Sequence, residues 1–455
     1  MIHAFRMHGV NMAIDVNSGA VHVLDDAAYE VLQCYDSEGN LNLSKVHDLE
    51  GRYSPEMVSE AMNEIRDLIS QGLLFSKDPY ADYVPAWGKQ TVVKALCLHI
   101  AHDCNLRCRY CFAGTGEYLG GRSLMSLEVG KKAVDFLLAQ SGNRRNLEID
   151  FFGGEPLMNF DVVKGIVDYA RSKEKEFNKH FRFTITTNAL LLDEAKRSYI
   201  NENMHNVVLS LDGRKEINDA MRKRVDGTGS YDRILPAARK MVEERQGQSY
   251  YVRGTFTREN LDFGNDVLHL ADLGFDQISV EPVVAAQDSG LDIREEDLPA
   301  ACLEYERFAK LYAEYRASGK WFNFFHFMLD LEGGPCVAKR LRGCGSGTEY
   351  LAVTPEGDLY PCHQFVGQKD FLLGSVFTGL NDNPVRNDFK EANVYTKPEC
   401  TACWAKFYCS GGCAANSWQF NKDITKPYRI GCELEKKRVE CALWVKAKET
   451  MEEDP

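Results

Sequence analysis

Apolar and polar residues alternate along the first 24 positions of the chain. His3-Ala4-Phe5-Arg6-Met7, Met12-Ala13-Ile14-Asp15-Val16 and Ala20-Val21-His22-Val23-Leu24 carry the period-two pattern of half-buried strands, with Asn17-Ser18-Gly19 as a turn. The period then lengthens. Asp25 or Asp26 can cap a helix through Leu32, and a second helix runs from Ser54 or Pro55 to about Gln71. Its stripe is Val58, Ala61, Ile65, Leu68 and Ile69, and it stops at Gly72 before Leu73-Leu74-Phe75. Three strands, helices and a short extended tail predict a small winged-helix-like module over residues 1–85, followed by a Pro- and Gly-containing linker over Pro79–Lys89.

From Val92 short apolar runs alternate with helical stretches, the pattern of a parallel sheet. Strands are expected at Val92–Ile100, Leu147–Phe152, Phe181–Thr187, Val207–Leu211, Tyr250–Phe256 and Gln277–Val280. Helices such as Leu127–Gln140, Asp161–Phe177 and Leu261–Leu273 lie between them. Six such units predict an α/β fold, a partial (β/α)6 TIM barrel over residues 92–317, with its chemistry at the C-terminal strand ends. A bridging region at 318–343, a cysteine-rich domain at 344–436 and a C-terminal helix and tail at 437–455 complete the expected organisation.

Composition narrows the class. A chain of 455 residues exceeds one ordinary core, and 44% hydrophobic with 27% charged residues describes a globular protein. No apolar run is long enough to span a membrane, and the first residues do not read as a signal peptide. A net charge of −13 without a basic face argues against a nucleic-acid partner. Fifteen cysteines in a chain without a secretory leader point to metal or cluster ligation rather than disulfides, and to the cytoplasm.

The cysteines form two constellations. Cys104-x3-Cys108-x2-Cys111 has the close spacing of an iron–sulfur loop, in which three thiolates leave one iron of a cubane open. A zinc knuckle, with His102 as a conceivable fourth ligand, and a redox cysteine pair are the bland alternatives. With Tyr110 just before the last cysteine, the run resembles the signature of the radical S-adenosylmethionine (radical SAM) enzymes. The resemblance implies a 4Fe–4S cluster whose open iron binds SAM, and an electron that cleaves SAM to a 5′-deoxyadenosyl radical. It also implies SAM contacts from the strand ends: Gly153, Gly154 and Glu155 of the Gly-Gly-Glu-Pro run, Thr187 and Asn188, Ser210 and Asp212, and Arg253, with Tyr110 alongside. The Thr187-Asn188 or Ser210-Asp212 strand end alone is as well explained by an ordinary turn and Arg253 by a structural ion pair, whereas a bland turn has no need of a Gly-Gly-Glu-Pro run on an apolar strand.

The second constellation is Cys344, Gly357, Cys362, then Cys400-x2-Cys403-x5-Cys409-x3-Cys413, and Cys432. Its spacing resembles the SPASM domain of radical SAM enzymes that modify peptides and proteins. The resemblance implies one auxiliary 4Fe–4S cluster on Cys400, Cys403, Cys409 and Cys432 and another on Cys344, Cys362 and Cys413, three clusters in all. Two zinc ribbons are the alternative. Pro355-Glu356-Gly357-Asp358 reads as a hairpin turn bringing Cys344 and Cys362 together. Some relatives carry an eighth cysteine where this chain has Tyr350, so either an iron stays open or Cys336 substitutes. Cys34, Cys97, Cys302 and Cys441 read as small buried hydrophobes.

The whole layout resembles the SCIFF maturases, which act on six-cysteine precursor peptides. That resemblance implies thioether formation between a cysteine sulfur and a carbon of another residue, a leader peptide bound by residues 1–85 through strand addition, and an electron donor such as flavodoxin or ferredoxin. A formylglycine-generating sulfatase maturase is the nearest alternative. Its family carries Asp after the cysteine matching Cys362, whereas this chain has His363, still a possible base. A quinone-cofactor maturase and a non-catalytic iron–sulfur electron carrier are the others.

Overall fold

The architecture was analysed in a computed structural model, which describes residues 1–49, 51–84, 91–284, 289–331 and 337–453. The N-terminal sheet consists of β1 (Ile2–Met7), β2 (Val10–Asp15) and β3 (Val21–Leu24), antiparallel in that order. Alternation sends its side chains to two different cores. Ala13 packs with Val31, Leu32, Val58, Ala61 and Ile65 of the helices behind the sheet. Phe5, Met7, Met12 and Ile14 face the other way and join the main core of the molecule. The helices are α1 (Asp26–Leu32), α2 (Leu43–His47) and α3 (Pro55–Ser70). Asp25 caps α1 through Ala28 N–H, and Ser54 caps α3 through Met57 N–H, with Pro55 in its first turn. The short α2, capped by Asn42, was not expected from the pattern.

The large sheet has eleven strands among the described residues. Its parallel body runs β4 (Ala95–Ala101), β6 (Asn146–Gly153), β7 (His180–Thr187), β8 (Asn206–Ser210), β10 (Tyr250–Phe256) and β11 (Gln277–Pro282), each followed by helical connection, which is the expected (β/α)6 pattern. Two-residue β12 (Asn323–Phe324) extends one side, parallel to β11. On the other side β4 pairs in parallel with β13 (Tyr350–Val353). The expected hairpin follows: β13 returns as β14 (Asp358–Tyr360) around Gly357 at φ +94°, where a Cβ would meet Val376 and Phe377. Short β15 (Gly374–Ser375) and β16 (Gly379–Leu380) finish the sheet. The cysteine-rich third thus continues the barrel's own sheet. Cys344 and Cys362 flank the hairpin strands rather than lying in them.

Several boundaries differ from expectation. β4 starts at Ala95 instead of Val92, because Lys94 and Ala95 N–H both donate to Glu349 O and the ladder opens there. β11 runs past Val280 to carry Glu281. A small antiparallel ribbon, β5 (Leu106–Cys108) with β9 (Arg222–Arg224), holds the middle of the three-cysteine loop. The C-terminal helix spans Arg429–Glu453 without a break at residue 436, so it supplies Cys432 itself. Its buried face, including Leu434, Val439, Cys441, Leu443 and Trp444, packs in the main core against the helix Leu298–Ala317. No helix of the described residues is long and apolar enough to cross a membrane.

Candidate active site and cysteine cavities

A cavity of about 210 Å³ opens at the C-terminal ends of the parallel strands. It is lined by Cys104, Cys108 and Cys111 from the loop after β4, and by Gly153, Gly154, Thr187, Asn188, Ser210 and Arg253 from successive strand ends. Tyr110 also lines it. Strands that end at one level deliver short polar groups and thiols to one mouth, which is the general logic of barrel enzymes.

The Gly-Gly-Glu run is fastened through its backbone donors, and Gly153 and Gly154 line the cavity. The Gly154 N–H donates to Ala101 O at 2.7 Å and the Glu155 N–H to Asp103 O at 2.9 Å, so both donors are taken by the cysteine loop. A Cβ on Gly154 would collide with Asp103 O, and one on Gly153 with Ala101 O. The glycines let the end of β6 lie flat against the backbone of that loop. Glu155 is fully buried and does not line the cavity. Its Oε1 accepts from Leu157 N–H and from Thr187 Oγ1, and its Oε2 accepts from Asn188 N–H at 2.8 Å. Burial pushes its carboxyl up, opposed by those bonds. Glu155 therefore braces β6 to β7. Asn188 is aimed at the thiols: its Nδ2 donates to Asn105 Oδ1 at 2.7 Å and approaches Cys104 Sγ at 3.7 Å.

Asp212 also stands behind the cavity. It is fully buried, and both carboxylate oxygens accept from the Tyr110 hydroxyl, at 2.9 and 2.8 Å. Burial raises its carboxyl to about 6, against the pull of Arg222. Arg222, nine-tenths buried at the start of β9, donates to the Tyr110 hydroxyl at 2.7 Å. Asp212 and Arg222 thus fix Tyr110, the aromatic residue next to Cys111. Burial raises Cys104 to about 12 and Cys108 to about 11, with the Arg222 cation opposing the rise at Cys108. Thiols buried this way need a cation to hold them as thiolates.

Sequence reasoning missed Arg222, Glu281 and Tyr118. The signal for Glu281 was a carboxylate at the end of an apolar strand. Burial alone would raise its carboxyl, but Arg253, whose Nη2 donates to it at 2.6 Å, and His326 hold it at about 2. Arg253 is thus in an ion pair and still lines the cavity. Arg222 sits in an Arg-Lys-Arg run that looks like solvated surface. Tyr118 is buried at φ +48°, donates to Gly153 O at 3.0 Å, stacks on His102 and packs at a tilt against His99. That stacking, with His102 donating or accepting at His99 Nδ1 over 3.0 Å, places His102 in an aromatic cluster.

The cysteine-rich third reaches the same cavity through His363 and Gln364. His363 packs against Phe112 and Phe152, its Nδ1 is buried without a hydrogen-bond partner, and burial lowers its pKa to about 4, so the ring is neutral. A separate cavity of about 390 Å³ is lined by all four of Cys400, Cys403, Cys409 and Cys432. Cys344, Cys362 and Cys413 form the other set: burial raises the Cys362 thiol, and Cys413 and Cys344 raise it further by proximity. Gly347 N–H to Pro361 O, at 2.9 Å, ties the Cys344 loop to the strand before Cys362. Among the described residues no three His, Cys, Asp or Glu side chains converge on one metal-ion position. The four thiols around one space are the donor set a four-iron cubane asks for, each iron taking its own thiolate. Tyr350 packs against the buried cluster that contains both Cys97 and Cys362; burial raises its phenol and both thiols add to the rise. Cys336 lies outside the described residues. Cys34, Cys97 and Cys441 are buried and Cys302 is half-buried.

Residues 98–263 match the model of the Radical SAM superfamily. An uncharacterised protein of Methanocaldococcus jannaschii is 36% identical over 138 residues, which cover 30% of this chain and 45% of that protein. The cysteine-type anaerobic sulfatase-maturating enzyme of Clostridium perfringens is 24% identical over 68% of this chain and 85% of its own. Among solved structures, native anSMEcpe with bound AdoMet matches with a TM-score of 0.65 and 19% identity, covering 78% of this chain and 99% of that one. Streptococcus suis SuiB bound to S-adenosylmethionine matches with a TM-score of 0.55 and 16% identity, over 94% of this chain and 98% of that one. The chain carries a radical SAM domain. Its fold is similar to that of anSMEcpe and SuiB.

Proposed function

We propose that this protein is a radical SAM maturase that installs thioether cross-links, cysteine sulfur to a carbon of another residue, in a ribosomally made cysteine-rich precursor peptide. The observation that carries the reading is the shared cavity: the three-cysteine loop, the strand-end polar groups and His363 of the cysteine-rich third all line it. In this reading Cys104, Cys108 and Cys111 hold the SAM-binding 4Fe–4S cluster. Cys400, Cys403, Cys409 and Cys432 hold a second, and Cys344, Cys362 and Cys413 a third with an iron left for a substrate thiol. Bound together, SAM and the clusters supply a 5′-deoxyadenosyl radical and an acceptor for the surplus electron.

The chain's own residues do the positioning. Tyr110, clamped by Asp212 and Arg222, fixes the loop carrying Cys108 and Cys111. Gly153, Gly154, Thr187, Asn188 and Ser210 offer small polar surface to SAM, and the exposed side of Arg253 suits its carboxylate. The leader is bound by the N-terminal module: the sheet order ends on β3, whose outer edge pairs with no strand among the described residues, and Val23 there is 47% exposed. An electron donor such as flavodoxin or ferredoxin supplies the reducing electron.

The test uses iron-reconstituted protein, SAM, dithionite and a short cysteine-rich peptide from a neighbouring reading frame. Each cross-link removes two hydrogens from the peptide, and 5′-deoxyadenosine appears with it. Val23→Pro, which weakens strand addition, is expected to reduce precursor affinity about tenfold, or about 1.4 kcal/mol, while peptide-independent SAM cleavage stays unchanged. Release of 5′-deoxyadenosine with no loss of hydrogen from any cysteine peptide would sink the thioether assignment. His363 supports one second reading: a neutral imidazole lining the cavity suits a base for a substrate proton, as a formylglycine-generating sulfatase maturase requires. Conversion of a sulfatase-type peptide to an aldehyde would select it.

A further inference from the structure

Two buried lysines occupy the cysteine-rich third, and they are partnered very differently. Lys406 has a carboxylate, Asp78, 3.5 Å from its ammonium and the rings of Tyr395 and Phe407 beside it. Lys397 is 4% exposed, and the Gly411 carbonyl, 2.9 Å away, is the only hydrogen-bond partner of its Nζ among the described residues. Gly411 lies in Cys409-Ser410-Gly411-Gly412-Cys413, the turn that joins a cysteine of one set to a cysteine of the other. At the backbone end of the same residue, the Lys397 carbonyl accepts the Cys400 N–H at 3.0 Å. Lys397 is therefore tied at both ends to cysteine-bearing backbone. Burial lowers the Lys397 pKa, and Cys400, Cys409 and Cys432 of one set and Cys413 of the other, as thiolates, oppose that fall.

A buried ammonium with one carbonyl contact is costly unless negative charge lies near it. Protonated thiols carry none. Thiolate-ligated clusters do, and each gains one further negative charge on reduction.

We propose that Lys397 is a positioning residue for electron transfer, a buried fixed charge that favours the reduced state of both auxiliary clusters. The proposal rests on the reading that the two cysteine sets hold iron–sulfur clusters. Reduction of either adds one electron and no proton and changes no ligand. The electron comes from the oxidised substrate carbon in turnover and from dithionite in the test. A nearby cation lowers the energy of the more negative state, because cluster potentials follow local charge and hydrogen bonding. The hydrogen bonds of Lys397 go to the Cys409–Cys413 turn and the Cys400 turn and not to the Cys104–Cys111 loop, so the cluster there serves as an internal reference.

The experiment is a redox titration of the reconstituted full chain, followed by electron paramagnetic resonance, with iron counted separately. Lys397→Gln retains a donor for Gly411 O and loses the charge; Lys397→Arg retains the charge. The expected result is that Lys397→Gln weakens reduction of both auxiliary clusters at least tenfold, about 59 mV for a one-electron couple, without moving the SAM cluster, while Lys397→Arg stays near the parent. Unchanged auxiliary potentials in Lys397→Gln, or a shift of one cluster alone, would overturn the proposal. If Lys397→Gln loses iron and Lys397→Arg retains it, the charge is needed even to assemble the two sites, which upholds it. Iron loss in both makes the side chain a strut and ends it. A parent protein that takes up iron only on the three-cysteine loop refutes the auxiliary-cluster reading itself, a separate failure from an unmoved potential.

Discussion

The cavity at the barrel mouth and the four-cysteine cavity are built by opposite means. The first is framed by long strands and cross-braced by side chains: Glu155 joins β6 to β7, Asp212 holds Tyr110 and Arg222, and two glycine-enabled backbone bonds pin the loop. None of these bonds needs a metal. The second is framed by single turns, Pro398–Thr401 and Lys406–Cys409, and by one long helix that brings in Cys432. Its thiols face a shared space. The barrel site therefore has a scaffold independent of its ligand, whereas the second depends on its ligand for much of its order, because the binding free energy of such a centre is also folding free energy.

The largest effect expected from this difference is on activity without loss of fold. Replacing Cys104, Cys108 and Cys111 together by Ala should abolish dithionite-driven SAM cleavage and remove about four irons per chain. The thermal unfolding midpoint should stay within a few degrees of the parent, about what a 1 kcal/mol change makes in a chain of this size. Unfolding of this variant would break the comparison, since the braces would then be insufficient without the cluster.

Next in size is the complementary experiment. Cys400→Ala with Cys403→Ala removes two thiolates from the turn-built cavity. Limited proteolysis should then cut within residues 395–430 at least tenfold faster, because local opening governs cleavage, while the strands from β4 to β11 stay protected. Equal protection in parent and variant would mean that packing of the turns, Phe407 included, is enough by itself.

The same contrast explains what could be read from the sequence. The parallel strands were legible because buried strands are short apolar runs, and the cysteine sets because thiol spacing is local. Side-chain direction was not legible. Glu155 and Asp212 have the right chemistry at the right strand ends, but the neighbouring strand and Tyr110 claim their oxygens, so they face the protein interior. Arg222 and Tyr118 gain their roles only from contacts far apart in sequence, such as Arg222 with Tyr110 and Tyr118 with Gly153. The N-terminal module likewise read as a separable unit. Phe5, Met7, Met12 and Ile14 bury one face of its sheet in the main core, which is why a point change on β3 tests leader binding more cleanly than deletion of residues 1–85.

The smallest effect concerns a carboxyl that the barrel holds without any cluster. Asp150 lies on β6, near Cys97 and Glu148, with Thr184 as a hydrogen-bond partner. Burial first, and Glu148 second, raise it from the ordinary range to about 7. A carboxyl whose folded value is raised binds a proton more tightly in the folded than in the unfolded chain. Stability therefore falls as pH rises from the unfolded value, about 4, to about 7, and stays lower above that. A tenfold difference in proton affinity between the folded and unfolded chain corresponds to about 1.4 kcal/mol, and partial solvent screening brings the expected cost to about 1–2 kcal/mol above pH 7. Asp150→Asn keeps the shape and cannot ionise. It should raise the unfolding midpoint by a few degrees at pH 8 and leave it unchanged at pH 4, measured by calorimetry on the protein without iron so that cluster loss at acid pH plays no part. A variant equally stabilised at both pH values would show that packing, not charge, makes the difference, and would place Asp150 among the metal-independent braces with Glu155.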